Sequence, residues 1–99
     1  MSVIVELSIF PLGAPGGLSG PVSRALEVIR ASGLPHQLTP MGTCIEGDYD
    51  QVMAVVGQCF HALEPDFERL YMTVKADWRR GREGGLDQKT RSVRDRLET

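Results

Sequence analysis

The stretch Leu38-Thr39-Pro40-Met41-Gly42-Thr43-Cys44-Ile45-Glu46-Gly47 lies in the middle of the 99-residue chain. Two short β-type runs meet in it at Met41-Gly42, and the tight connection predicts an antiparallel hairpin. The chain before the hairpin is typical of a strand and then a helix, and the chain after it of a helix and then a strand. The hairpin either carries part of a functional site, through its carboxylate, thiol and threonine hydroxyls, or is an ordinary hairpin whose glycines only set the turns.

The segments on either side of the hairpin predict the order β-α-β-β-α-β-α. Alternating β-branched residues from Val3 onward indicate the first strand, and Pro11 ends it because proline has no N–H for a ladder. Asp48 and Gln51 fit a helix capping box, and Asp87 fits the cap of the last helix. The predicted strands cover residues 3–10, 37–41, 43–46 and 69–78, and the predicted helices 21–30, 49–64 and 87–97.

This order predicts an α+β fold: a ferredoxin-like βαββαβ sandwich with a four-stranded antiparallel sheet and an added C-terminal helix. Ninety-nine residues suffice for one core, so residues 1–99 are expected to form a single domain.

Strand parity separates a uniformly apolar face from a mixed one. The apolar rows are expected in the core; they are Val3, Val5, Leu7 and Ile9 in the first strand and Leu70, Met72, Val74, Ala76 and Trp78 in the last. The other face is expected to be bare of helices and carries Ile4, Glu6, Ser8, Phe10, Thr39, Cys44, Glu46, Tyr71, Thr73, Lys75 and Asp77. So much apolar area on an uncovered face predicts pairing with another copy of the chain.

Composition narrows the functional classes. No apolar run approaches the roughly 20 residues needed to cross a bilayer, and the N-terminus lacks the basic region of a signal peptide. Cys44 and Cys59 could pair, but two reduced thiols in a cytoplasmic protein are the simpler interpretation. The basic residues after Trp78 are interleaved with acidic ones and with no further aromatic residue, which favours a solvated helix face over nucleic-acid binding.

No cofactor or metal site is predicted. His36 and His61 have no cysteine or carboxylate at metal-ligand spacing, and the glycine-rich segment 13–20 lacks the Gly-Lys-Ser/Thr ending of a phosphate loop. An enzyme that uses Cys44, or Glu6 and Glu46 as acid and base, remains an open alternative.

The carboxylates of the mixed face need partners, because a half-buried charge is costly to desolvate. One solution is internal pairing, such as Lys75 with Glu6 or Glu46. The other is a ligand that is cationic or donates hydrogen bonds, held beside an aromatic side chain such as Phe10 or Trp78.

The run Pro-Met-Gly-Thr-x-Ile-Glu-Gly over residues 40–47, with Ser8-Ile9-Phe10-Pro11 and Lys75-x-Asp77-x-Arg79, resembles the thiamine-binding (YkoF-like) protein family. The resemblance implies a ferredoxin-like fold that assembles into homodimers or homotetramers through its sheets. It also implies binding of thiamine or its hydroxymethylpyrimidine part without catalysis, and no nucleic-acid or membrane partner is expected. The loop at residues 13–20 departs from the family, and whether it closes over a ligand stays open.

Thiamine carries a cationic thiazolium ring and an aminopyrimidine ring with hydrogen-bond donors and acceptors. Glu46 is therefore predicted as the charged anchor, and a hydroxyl or apolar contact is predicted for Ser8, Phe10, Thr39, Met41, Gly42 and Thr43. The alternative is a structural or regulatory homo-oligomer that binds no thiamine.

Overall fold

The computed structural model describes the backbone of residues 2–98 and the side chains of residues 2–97. Four strands form one antiparallel sheet in the order β2-β3-β1-β4. The elements in chain order are β1 (Val3–Pro11), α1 (Ser19–Ala31), β2 (His36–Thr39), β3 (Gly42–Gly47), α2 (Tyr49–Leu63), a 3₁₀ turn (Glu64–Asp66), β4 (Leu70–Trp78) and α3 (Gly85–Glu98). The predicted ferredoxin-like α+β arrangement with its extra helix is confirmed. No helix in this part of the chain is long and apolar enough to cross a membrane.

The core lies between the sheet and the two helices α1 and α2. In β1, every second side chain from Val3 to Ile9 is buried, and the register places Val5 between Ile45 of β3 and Ala76 of β4. The helices meet this row with apolar side chains spaced three or four residues apart, which puts them on one helix face. The fully buried members on the helices are Ile29, Val52, Cys59 and Leu63.

Beyond Leu70, which is partly buried against the core, the helix side of β4 is open to solvent, so the prediction that its apolar row lies in the core is wrong for the rest of the row. The register does place the row on the same side as the core residues of β1, with Val74 beside Leu7. However, α1 and α2 pack over β1 and β3. Met72, Val74 and Trp78 are consequently 41%, 39% and 50% exposed.

Several predicted element ends differ from the observed ones. Pro11 is the last residue of β1 and pairs with Leu70, so the strand ends at the predicted proline but includes it. Its nitrogen points to the β3 side of β1, but β3 pairs with β1 only as far as Leu7. The missing N–H therefore removes no hydrogen bond from the sheet. Asp48 does stand at the start of α2, but its side chain makes no capping hydrogen bond, so the predicted capping box is wrong. The last helix begins at Gly85, two residues before the predicted cap Asp87.

We call the sheet side opposite α1 and α2 the open face; it carries Ile4, Glu6, Ser8 and Phe10. It is not entirely bare, because α3 packs against β1 and β3 at the Ile4 end. A Cβ atom on Gly85 would lie 2.8 Å from Ile4 Cδ1, so glycine allows this approach. The rest of α3 leaves Val93 and Leu97 exposed. The Cα radius of gyration is 14.8 Å, above the roughly 13 Å of a compact chain this long.

Two glycines should respond oppositely to substitution by alanine. Gly42 has φ +155°, and its added Cβ would lie 2.8 Å from the Leu7 carbonyl oxygen, whereas a Cβ on Gly57 of α2 would meet nothing within 4 Å. We expect Gly42→Ala to lower the free energy of unfolding by roughly 1–3 kcal/mol, through backbone strain. Gly57→Ala should raise it by up to about 1 kcal/mol, through helix propensity. Urea titrations of the two variants and the wild type measure these changes in the free energy of unfolding. A Gly42→Ala variant as stable as the wild type would contradict the close approach of Gly42 to the Leu7 carbonyl.

Candidate functional site

β1 is longer than its neighbour β3, and this leaves a gap in the sheet. β1 pairs with β4 from Val3 to Pro11, but its pairing with β3 stops where Leu7 meets Thr43. The Leu7 carbonyl points toward β3, since it lies against Gly42. Backbone direction alternates along a strand, so the N–H and C=O of Ile9 point to the same side and meet no strand there.

A two-residue turn, Pro40-Met41, borders this gap. The Thr39 hydroxyl donates to the Gly42 carbonyl oxygen at 2.9 Å and accepts the Met41 N–H at 3.2 Å. Pro40 therefore lies in the turn and not in the second strand as predicted. The hydroxyl of Thr39 is used to hold the turn closed.

A cavity of about 300 Å³ lies between the end of β1, this hairpin and α1. We call it the notch cavity. None of the described side chains lining it is charged. Six of the seven sequence-predicted ligand residues line it, namely Ser8, Phe10, Thr39, Met41, Gly42 and Thr43.

Two hydroxyl groups in the notch cavity are available to a ligand. Thr43 is 6% exposed and Ser8 half-buried. Neither hydroxyl has a hydrogen-bond partner among the described residues, unlike the hydroxyl of Thr39. Among the described residues, Arg82 Nε is the one fully buried polar side-chain atom without a partner, so both hydroxyls are accessible from outside and free to bond a bound molecule.

Sequence reasoning missed one wall of the notch cavity. It comes from α1, through Val22 and Leu26, and from Leu18 just before the helix. Their helical spacing was visible, but such spacing is typical of a core stripe and does not distinguish core from cavity. The free backbone groups of Ile9 carry no sequence signal, because they depend on where β3 ends.

Glu46 lies outside the notch cavity, at the opposite end of β3. It is 5% exposed, and its carboxylate accepts hydrogen bonds from the Ser2 hydroxyl at 2.9 Å and from the backbone N–H groups of Gly85 at 2.6 Å and Leu86 at 3.4 Å. A negative charge there also suits the positive end of the α3 dipole. The prediction that Glu46 anchors a ligand stays untested. Its position outside the notch cavity and its three hydrogen bonds within the protein do not favour it.

A second groove lies between the open face and α3, and its charges pair internally. Lys75 Nζ lies 3.6 Å from Glu6 Oε1. Asp77 pairs with Lys89 and with Arg82, and the Lys89 hydrogen bond is the main cause that lowers the pKa of Asp77. The sequence left two alternatives for the carboxylates of this face, internal pairing or a cationic ligand. For Glu6, internal pairing with Lys75 is present.

The two thiols are free and neither is activated. Burial and the nearby Glu6 carboxylate raise the pKa of Cys44, and burial raises the pKa of Cys59 to about 11. Among the side chains of residues 2–97, no three histidine, cysteine or acidic groups are close enough together to hold a metal ion.

A sequence model of the family described as thiamine-binding protein matches residues 5–94. The chain belongs to this family. A UPF0045 protein of Mycobacterium bovis is 42% identical over 94 residues, which cover 94% of this chain and 92% of that protein. Another, from Methanocaldococcus jannaschii, is 30% identical over 92% of this chain and 91% of its own length.

Solved structures of two proteins of similar length share this fold. The Methanocaldococcus jannaschii protein MJ1052 superposes with a TM-score of 0.85 at 29% identity, covering 93% of this chain and 95% of its own. A Thermotoga maritima protein, described provisionally as a thiamine biosynthesis/salvage protein, has a TM-score of 0.84 at 24% identity, covering 94% and 99%. The second likeness shows the fold alone.

Glu46 should hold α3 in place. Glu46→Gln keeps the side-chain shape but removes the charge, so we expect a loss of about 1–3 kcal/mol in the free energy of unfolding. Hydrogen exchange at the Gly85 and Leu86 amides should accelerate as well. The matched control is Asp87→Asn, on an exposed carboxylate of the same helix turn, which should change stability by less than about 0.5 kcal/mol. Equal effects in both variants would contradict this role.

The thiols should be slow to react. Less thiolate is present at neutral pH when a pKa is raised, so Cys44 should react with a disulfide reagent more slowly than a free thiol, and faster as the pH rises. Cys59 should react only after unfolding, and Cys44→Ser should abolish the native-state signal. Rapid modification of Cys44 at neutral pH would instead reveal an activated nucleophile and favour the enzyme alternative.

Proposed function

We propose that this protein binds the pyrimidine part of thiamine, non-catalytically, in the notch cavity. The observation that carries the proposal is that six residues predicted for a ligand surround one uncharged cavity in a member of the thiamine-binding protein family. The residues that belong to the hairpin are the same ones on which the family resemblance rests.

The chemistry of the notch cavity suits a neutral, flat heteroaromatic ring. Phe10, Leu18 and Met41 provide apolar walls for its faces. The N–H and C=O of Ile9 form a donor and acceptor pair along the sheet edge, and an aminopyrimidine offers the complementary acceptor and donor along its own edge. The hydroxyls of Ser8 and Thr43 lie beside the same space and can bond the hydroxymethyl group.

Size and charge favour the single ring over larger thiamine derivatives. The cavity of about 300 Å³ is at the small end of the roughly 300–1,000 Å³ typical of ligand sites. With no basic residue in its lining it offers no partner for a phosphate ester, and with no histidine, cysteine, lysine or carboxylate to activate its hydroxyls it favours binding over catalysis. The thiazolium part of thiamine would extend toward solvent.

Calorimetric titration tests the proposal. Hydroxymethylpyrimidine and thiamine should both bind, and thiamine diphosphate should bind more weakly. Removing one hydroxyl, in Ser8→Ala or Thr43→Val, should weaken binding by roughly tenfold, as expected for a lost hydrogen bond of about 1–1.5 kcal/mol.

The matched control for Thr43→Val is Thr73→Val, on an exposed β4 threonine outside the notch cavity; it should bind as the wild type does. Absence of heat with every ligand at millimolar concentration would rule the proposal out. Tighter binding of the diphosphate would place the ligand elsewhere on the protein.

The second candidate function is a homo-oligomer with no thiamine ligand. One observation favours self-association through the open face: Phe10 and Tyr71 pack with ring centroids 5.7 Å apart, and Tyr71 is 49% exposed. Exposed aromatic side chains are enriched at protein interfaces. A stable oligomer that shows no heat with any of the three ligands would favour this candidate.

A further inference from the structure

The notch cavity is bordered by residues from both sides of the sheet, and the two sides differ in charge. Ser8 lies on the open face and Thr43 on the helix side, and both line the cavity. On the helix side, the neighbouring lining residues Val22 and Leu38 are apolar. On the open face, the residue of β1 two positions from Ser8 is Glu6. A positively charged group that leaves the cavity across the open face therefore meets a carboxylate at once.

The Glu6 side chain lies at the border of the notch cavity. A Cβ atom on Gly42, which lines the cavity, would lie 3.5 Å from Glu6 Cγ. Because glycine contributes only backbone, no side chain of residue 42 stands between the cavity and Glu6. The Glu6 side chain is 37% exposed, so its carboxylate is within reach of a ligand.

The present partner of Glu6 is easily displaced. Lys75 Nζ lies 3.6 Å from Glu6 Oε1, which is longer than a hydrogen bond, and the Lys75 side chain is 82% exposed. Exposed ion pairs stabilise a protein only weakly, because solvent screens the charges and ordering a long side chain costs entropy. Lys75 can therefore turn into water and leave Glu6 to another cation.

An aromatic pair lies on the other side of Ser8. Phe10 follows Ser8 on the open face, and its ring packs against that of Tyr71 with centroids 5.7 Å apart. Tyr71 is paired with Phe10 in the register, which makes it a diagonal neighbour of Ser8 within reach of an aromatic side chain. The faces of aromatic rings attract cations. Strand residues two apart are about 6–7 Å apart, so one five-membered ring over Ser8 fits between the Glu6 carboxylate and the aromatic pair.

We propose that Glu6, with Tyr71 and Phe10, forms a subsite for the cationic thiazolium ring of thiamine, on the open face beside the notch cavity. The inference rests on the proposed function, because the pyrimidine ring in the cavity brings the second ring to this place. A single methylene carbon joins the two rings, so the thiazolium lies next to the pyrimidine, over Ser8. Its positive charge is then held between the carboxylate and the aromatic rings, and Lys75 turns into water.

This arrangement makes Glu6 the residue that distinguishes thiamine from hydroxymethylpyrimidine. Hydroxymethylpyrimidine is uncharged above neutral pH and ends within the cavity, so it gains nothing from the carboxylate. Thiamine gains an ion pair and a cation–π contact, and salt screens the ion pair. We therefore expect thiamine to bind more tightly than hydroxymethylpyrimidine at low ionic strength, and the difference to shrink as potassium chloride is added.

Calorimetric titration of the full chain with the two ligands tests the subsite. Glu6→Gln keeps the side-chain shape and removes the charge. It should weaken thiamine binding by roughly two- to fivefold, as expected for an exposed ion pair, and leave hydroxymethylpyrimidine binding unchanged. Lys75→Gln removes the competing ammonium group and should strengthen thiamine binding by up to about fivefold. The matched control is Glu27→Gln, an equal change of net charge at an exposed position of α1 outside the cavity lining, which should alter neither affinity.

Tyr71→Leu tests the aromatic side of the subsite. Leucine keeps an apolar side chain there but has no ring face for a cation, so thiamine should bind roughly two- to fivefold more weakly. Tyr71 does not line the notch cavity, and hydroxymethylpyrimidine should therefore bind as it does to the wild type.

The outcomes separate this inference from the proposed function. A wild-type protein that binds neither ligand would rule out both. If hydroxymethylpyrimidine binds but Glu6→Gln leaves the affinity for thiamine unchanged, the subsite is overturned and the proposed function stands. Equal weakening of both ligands by Glu6→Gln would overturn the subsite as well, because the carboxylate would then act through the fold. So would equal weakening of thiamine by Glu6→Gln and Glu27→Gln, which would reflect net charge alone.

Discussion

β1 pairs with β4 over nine residues but with β3 over only five, and two features of the molecule follow from that difference. On the β3 side, the unmatched end of β1 leaves Ile9 facing a space that the hairpin turn and α1 enclose. On the other side, full pairing extends β4 to the edge of the sheet, past the reach of the two helices. One central strand with unequal neighbours therefore produces a cavity on one side and an exposed apolar strand on the other.

The polar groups of the chain divide into those that hold the fold and those left for other molecules. Glu46 is buried under α3 with three donors, and Thr39 is used within the turn. A buried carboxylate with this many partners is costly to remove and poorly placed to bind a ligand. The hydroxyls of Ser8 and Thr43 have no such partners among the described residues, and so the notch cavity combines free hydrogen-bonding groups with the absence of charge.

The notch cavity was predictable in its residues but not in its location. Strand parity places Ser8 on the open face and Thr43 on the helix side, so parity alone does not bring the two together. They line one cavity because it lies where β3 ends, and there a ligand can reach both sides of the strand edge. Glu46 was grouped with them for its place in the same hairpin, yet the far end of a six-residue strand lies well away from the turn.

The sequence alone determined the order of the elements, the antiparallel hairpin and the face to which each strand residue belongs. These are set by local rules: alternation in strands, helical spacing and the chemistry of glycine and proline. Only the tertiary structure decided which apolar face was covered, which carboxylate capped α3 and where the cavity lay. Those outcomes depend on how far the helices and neighbouring strands extend over one another. Contacts between residues distant in the chain set that extent, such as the hydrogen bond from the Gly85 N–H to the Glu46 carboxylate.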